Sequence, residues 1–179
     1  MSSIILFFLF ILGAAIGSFL NVVVLRMRTG MTLGGRSMCM VCSKKLEWYE
    51  LVPIASFLVQ HGRCRECHSR ISEQYVLVET ATAVLFVLSG LFLWGGSADV
   101  LSIISLGLIL VIISVLVSVF VYDYLHKIIP DSFVLTLIGL GVLQTCVSVF
   151  MKGEPATLFL YTLLSAFILF LPFYLFSPL

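Results

Sequence analysis

The segment Ser37-Met38-Cys39-Met40-Val41-Cys42-Ser43-Lys44-Lys45, followed later by Arg63-Cys64-Arg65-Glu66-Cys67-His68, places two Cys-x-x-Cys pairs in the one long polar stretch of the chain, residues 26–74. Eight of the ten basic residues accompany them: Arg26, Arg28, Arg36, Lys44, Lys45, Arg63, Arg65 and Arg70. Lys and Arg are retained on the cytoplasmic side of membranes, so this stretch is expected to face the cytoplasm. Thiols there stay reduced, and two Cys-x-x-Cys pairs in a reducing compartment favour a metal over disulfides. Each pair places two thiolates close enough to share one ion, and two pairs complete a tetrahedral site with Zn–S bonds of ~2.3 Å. Structural zinc on Cys39, Cys42, Cys64 and Cys67 is the leading reading. Iron–sulfur ligation, a redox dithiol pair and disulfides are its alternatives. Lys44, Lys45, Arg63 and Arg65 flank the sulfurs and offset the charge of a tetrathiolate centre. His61 and His68 read as surface residues, because four thiols already close the shell.

Outside this stretch the chain is apolar. A mean hydropathy of +1.19, with 61% hydrophobic and 11% charged residues, excludes an ordinary soluble domain. A helix needs about 20 apolar residues to cross the hydrocarbon core, and five segments qualify: residues 4–25, 75–94, 100–122, 132–151 and 157–176. The expected fold is therefore an all-α polytopic membrane protein. It has a transmembrane helix over residues 1–25, a small cytoplasmic zinc-binding domain over 26–74, and helices two to five over 75–179. An external N-terminus puts Lys127 and the eight loop cations inside and leaves Lys152 outside. Gly95-Gly96, and Gly153 with Pro155, mark the outer turns, and Pro130 breaks the inner one. The first apolar run has no preceding Lys or Arg and no clear cleavage site, so it reads as a retained helix. No internal repeat is evident. No basic, aromatic-interleaved face occurs either, which disfavours nucleic acid. Residues 51–59 form an apolar run carrying Pro53, too short to span, and read as a piece packed beside the knuckles or lying at the membrane interface.

Ionisable residues within apolar helices narrow the functional question. Asp123 closes the third apolar segment, where a carboxyl suits acid–base chemistry as readily as it suits a merely hydrated helix end. Asp131, after Pro130 and before Ser132, reads as an N-cap. His126 and Lys127 read as interfacial, and Cys146 as a packing residue. Glu79 lies about a turn inside the second segment with few partners in sequence. Asn21, with Gly17 and Ser18, forms a polar, small-residue patch near the same end of the first helix. Gly17 and Ser18 read as packing residues, while for Glu79 and Asn21 a functional polar cluster and buried structural hydrogen bonding are both open.

These residues together carry a family resemblance. It runs from Gly17-Ser18-Phe19-Leu20-Asn21-Val22-Val23 through both cysteine pairs, with Trp48, Glu50, Val52-Pro53 and Gly62-Arg63-Cys64. It continues through Tyr75, Val78-Glu79 and Ala81-Thr82 to Asp123-x-x-His126-x-x-x-Pro130-Asp131. In this order they resemble the type IV prepilin leader peptidases, membrane aspartic proteases that also methylate the new N-terminus of the pilin they cut. The resemblance implies an inner-membrane enzyme acting on type IV prepilin or pseudopilin precursors, with Asp123 as one of two catalytic aspartates. It also implies zinc in the cysteine domain and S-adenosylmethionine as methyl donor.

The sequence departs from that pattern in two places. The family's second aspartate lies in a Gly-x-Gly-Asp motif, which these 179 residues lack. The expectation is a truncated member, inactive or weak in cleavage alone or completed by a partner chain carrying the second Asp. Val76 and Leu77 also replace a Pro-containing pair common before the family's Val-Glu. Two further expectations stand beside the peptidase: a methyltransferase-only remnant relying on Glu79, and a zinc-stabilised membrane scaffold for a pilus or secretion assembly.

Overall fold

The computed structural model describes residues 3–29, 34–93, 99–127 and 131–152. Among these, five α-helices follow in order: α1 (Ser3–Thr29), α2 (Ala55–Val59), α3 (Glu73–Leu93), α4 (Val100–His126) and α5 (Asp131–Lys152). A short 3-10 turn at Trp48–Glu50 precedes α2. No strand forms among the described residues, and pairing is limited to two isolated antiparallel bridges, Met38 with Lys45 and Arg63 with Arg70. Four helices, α1, α3, α4 and α5, are long and apolar enough to cross a membrane. They correspond to the first four apolar segments of the sequence, and α1 and α4 each run four residues further than hydropathy alone suggested. The fifth segment, 157–176, lies outside the described residues, as do Gly95-Gly96, Pro130, Gly153 and Pro155.

Hydroxyl groups on these helices bond to carbonyls of their own backbone. Thr80, Thr82, Ser114, Ser118, Thr136, Thr145 and Ser148 each donate to the carbonyl four residues earlier. That arrangement lets a polar side chain sit in an apolar surround without an orphaned donor. Asp99 caps α4, accepting from the Ser102 N–H at 3.2 Å and the Ser102 hydroxyl at 2.8 Å. At the other end of α4 the chain turns through Lys127, whose positive φ of 58° ends the helix with its N–H on the Asp123 carbonyl.

Helices α1 and α3 are the tightest pair. A Cβ on Gly13 would stand 2.7 Å from the Ala83 Cα, and one on Gly17 would stand 2.8 Å from the Glu79 Cα. Only glycine allows the two backbones this close, the small-residue logic of helix association in membranes. Around that contact Thr82, Ala83 and Phe86 are buried. Val24 of α1, Val78 of α3 and Val121 of α4 form a buried cluster flanked by Val117 and Tyr122. α5 packs on α4, tied by the Gln144 amide donating to the Ser105 hydroxyl at 2.8 Å and by the Tyr122–Phe133 ring contact. The valine cluster fixes the geography of the site, because it sets the α4 end that carries Asp123 level with Val24 and Val78.

Candidate metal centre and the cavity beside it

Each Cys-x-x-Cys pair folds into the same turn. In the first, the Cys39 N–H donates to the Lys44 carbonyl and the Ser43 N–H to the Cys39 carbonyl, both at 2.9 Å. In the second, Cys64 N–H donates to Ser69 at 2.9 Å and His68 N–H to Cys64 at 3.0 Å. Ser43 and His68, one residue after the second cysteine of each pair, both adopt positive φ, 59° and 54°. The two knuckles are thus one motif used twice. Sequence comparison misses this repeat because only the cysteine spacing is shared and the turn is encoded in backbone bonds.

The knuckles bring all four Sγ atoms within 4.8 Å of one another. Cys39 Sγ and Cys67 Sγ are 3.8 Å apart. Thiolates at ~2.3 Å from a tetrahedral ion lie roughly 3.8 Å apart, so the donor set fits a metal ion. The electrostatics of the free thiols point the same way. Backbone N–H groups of Cys42 and Val41 aim at Cys39 and, with the Ser69 hydroxyl, bring it down to about 6. Ser69, through hydroxyl and backbone, also lowers Cys67. At Cys42 the Lys44 N–H pulls downward, but desolvation and the neighbouring thiols of Cys67, Cys39 and Cys64 outweigh it and push the group up to about 11. The fold thus favours the thiolate at Cys39, while crowding among the thiols disfavours a second negative charge at Cys42, a repulsion that a bound cation would relieve. His61 and His68 are exposed, and neither belongs to the cluster.

Glu50 braces the first knuckle. Its buried carboxylate accepts the Glu47 N–H at 2.9 Å and pairs with Lys44 at 3.4 Å, and these contacts hold it below the usual carboxylate range. The Glu47-x-x-Glu50 spacing was the available signal, since an acid three residues on bonds back to the residue opening a turn. Lys44 also approaches Glu66 at 4.0 Å, so one cation ties the first knuckle to the second.

Between the knuckles and the α1–α3 pair lies a cavity of about 410 Å³. Its walls are mainly apolar, with Met38, Leu46, Phe57 and Ile71 among them, and five charged side chains line it: Arg26, Arg36, Arg70, Glu50 and Glu79. Glu79, for which the sequence offered few partners, has one that sequence reasoning missed. Its Oε2 accepts the backbone N–H of Ile54 at 2.7 Å. Asn21 donates through Nδ2 to the Tyr75 carbonyl at 3.2 Å, joining α1 to the start of α3. Glu79 and Asn21 are both buried, but only Glu79 reaches the cavity. Asp123 is half-buried in the last turn of α4 and stands outside the cavity lining. Asp131 is the first residue of α5 and exposed, an acid placed in a helix's first turn.

Residues 11–93, from mid α1 through the cysteine knuckles to the end of α3, match the family model described as the bacterial peptidase A24 N-terminal domain. The chain is thus a polytopic membrane protein built around that domain. It belongs to the prepilin leader peptidase/N-methyltransferase family. A prepilin leader peptidase/N-methyltransferase of Myxococcus xanthus is 39% identical over 126 residues, covering 70% of this chain and 36% of the relative. The protein of that name from Vibrio cholerae is 33% identical over 130 residues, 68% of this chain and 49% of the relative. The one from Klebsiella pneumoniae is 34% identical over 143 residues, 76% of this chain and 60% of the relative. The chain therefore spans between about a third and three fifths of the curated relatives it matches. No solved structure matches it significantly.

Proposed function

We propose that the protein acts in processing type IV pilin-like precursors at the cytoplasmic face of the inner membrane, as part of a leader peptidase that also methylates the new N-terminus. The observation that carries this reading is the packing of Val121 against Val24 and Val78. It brings the Asp123 end of α4 to the membrane end that holds the cysteine knuckles and the cavity. One substrate, a basic leader followed by an apolar helix, would meet both a cleaving carboxyl and a methylating pocket without changing sides. The eight cations of the cysteine domain support the cytoplasmic assignment.

For cleavage, Asp123 would be one carboxyl of a pair that shares a proton, one member activating water and the other protonating the departing amine. The 179 residues contain no Gly-x-Gly-Asp, and a partner chain would supply the second carboxyl. The four thiolates would hold zinc in a closed, structural shell that stabilises the knuckle domain. For methylation, S-adenosylmethionine would supply an electrophilic methyl group. The cavity's size lies within the ~300–1,000 Å³ usual for small-molecule sites. Its mixed lining fits a zwitterionic donor, with arginines to receive a carboxylate and Glu79 or Glu50 to face positive charge. These residues would orient the donor, and the apolar walls would keep water away from it.

Incubation of the complete protein with a pilin-like precursor tests the reading. Cleavage should be lost in Asp123→Asn while methylation of pre-cleaved pilin persists. Arg70→Ala, at the cavity edge, should lower methyl incorporation and leave cleavage in place. Cleavage by Asp123→Asn at the normal rate would remove Asp123 from the pair.

A further inference from the structure

We propose that residues 51–59 form a wedge embedded in the lipid on the knuckle side of the membrane, with Leu58 and Val59 in direct contact with acyl chains. The inference concerns the lipid contact and stands whether or not the processing activity is as proposed.

Depth is the first argument. The span Glu73–Phe92 of α3 holds 20 residues, about 30 Å at 1.5 Å each, which is the thickness of the hydrocarbon core with little to spare. Glu79 is the seventh residue of that span, roughly 9 Å inside its end. Its carboxylate holds the Ile54 N–H at 2.7 Å, so Ile54 and the start of α2 lie within a glutamate side chain's reach of that depth, below the end of the span. Residues 51–60, Leu-Val-Pro-Ile-Ala-Ser-Phe-Leu-Val-Gln, contain no charged side chain.

The two faces of α2 are the second argument. Ser56, Phe57 and Gln60 line the cavity, and Phe57 also lies against Gly62. Leu58 and Val59 face outward, 64% and 65% exposed. On α3, Leu77 and Leu88 are likewise exposed and apolar, the character expected of a surface that faces lipid.

Backbone accounting is the third. Within a bilayer every N–H must find a partner in the protein. Ala55 donates to Pro53, Ser56 to Val52, Leu58 to Ile54, Gln60 to Ser56, His61 to Leu58 and Gly62 to Phe57. Pro53 has no N–H to satisfy. Ile54 instead donates outside the segment, to Glu79. It adopts φ 62° and ψ −53°, with the Ala55 N–H reaching back to the Pro53 carbonyl at 2.6 Å, a strained γ-turn that β-branched residues rarely enter. That turn directs the Ile54 N–H away from α2, and Glu79 receives it. A carboxylate at this depth thus satisfies an N–H that the wedge's own carbonyls do not reach.

The test uses the whole chain, with Trp48→Phe and Trp94→Phe as background, reconstituted into vesicles of phosphatidylcholine and phosphatidylglycerol carrying brominated acyl chains. A single tryptophan is placed by Leu58→Trp or, in a separate protein, Val59→Trp. Leu88→Trp in α3 and Glu66→Trp in the second knuckle are the lipid and water references. The expected result is that the Leu58→Trp and Val59→Trp proteins lose most of their emission to bromolipid, as the Leu88→Trp protein does, and resist acrylamide, while the Glu66→Trp protein behaves oppositely. Quenching of the two α2 variants by acrylamide and not by bromolipid, with the Leu88→Trp reference quenched by bromolipid as normal, would overturn the wedge. Shielding from both quenchers would also overturn it, by showing that protein and not lipid covers this face. Testing both positions, each judged beside the α3 reference, keeps the result readable if one substitution disturbs the fold.

Discussion

Glycines divide the molecule in two. In α1, Gly13 and Gly17 press against the backbone of α3, and an added Cβ at either would collide with main-chain atoms. In α4 and α5, Gly107, Gly139 and Gly141 have no described atom within 4 Å of where a Cβ would stand. The same residue type serves close approach in one half and meets open space in the other. Where the backbones touch, buried polar groups and the cysteine domain gather: Thr82, Glu79 and Asn21 are buried there and the knuckles sit on that end. Where they do not, the exposed side chains are the long aliphatic ones expected against lipid, such as Ile103, Leu135 and Ile138. Organisation in this protein follows the α1–α3 seam, and α4 contributes its Asp123 end through a single valine cluster.

Breaking the seam side of the contrast should have the larger effects. Cys64→Ser, at the one buried ligand, should abolish metal retention and unfold the knuckle domain, since the ion's binding energy, roughly 10 kcal/mol for such sites, is also folding energy. Loss of protease resistance in residues 34–72 and loss of bound metal would register this. Gly13→Ala should destabilise the α1–α3 pair by about 3 kcal/mol, because the added methyl meets backbone that cannot yield as a side chain would. Denaturation in mixed micelles measures that loss, and a neutral result would mean the two helices are further apart than described.

Glu50 sharpens the comparison at intermediate size. Its folded-state carboxyl is held below the ordinary range by the Glu47 N–H and Lys44, so the stability it adds is complete above the unfolded-state value near 4.5 and is lost as pH falls through the lower folded value. Glu50→Gln should cost about 1–3 kcal/mol at neutral pH and flatten the acid limb of the knuckle domain's unfolding curve. An acid limb identical in wild type and variant would exclude Glu50 as its source. The smallest effect belongs to the open side. Gly139→Ala should be neutral or stabilise α5 by up to roughly 1 kcal/mol, the usual gain of alanine over glycine in a helix interior, read from the same micelle denaturation.

Much of this was legible in the residues. Hydropathy placed four helices, because a span's length is set by the bilayer and not by its neighbours, and cysteine spacing placed the cluster, because two short turns leave few other uses for four thiols. The seam was only half legible. Gly17 and Ser18 signalled packing, yet Glu79 accepts from the Ile54 N–H and Asn21 donates to the Tyr75 carbonyl, backbone partners that no side-chain pattern announces. The doubled knuckle was hidden for the same reason. It rests on hydrogen bonds and on positive φ at Ser43 and His68, residue types that give no hint of a shared role.

The four thiols, within 4.8 Å of one another, make one closed centre across the cavity from the α1–α3 seam. X-ray absorption at the zinc edge of the purified protein, with metal counted per chain, addresses this most directly. One zinc per chain, surrounded by four sulfurs at ~2.3 Å, is the expected result. A substoichiometric ion, or a shell containing nitrogen or oxygen in place of any sulfur, would contradict it.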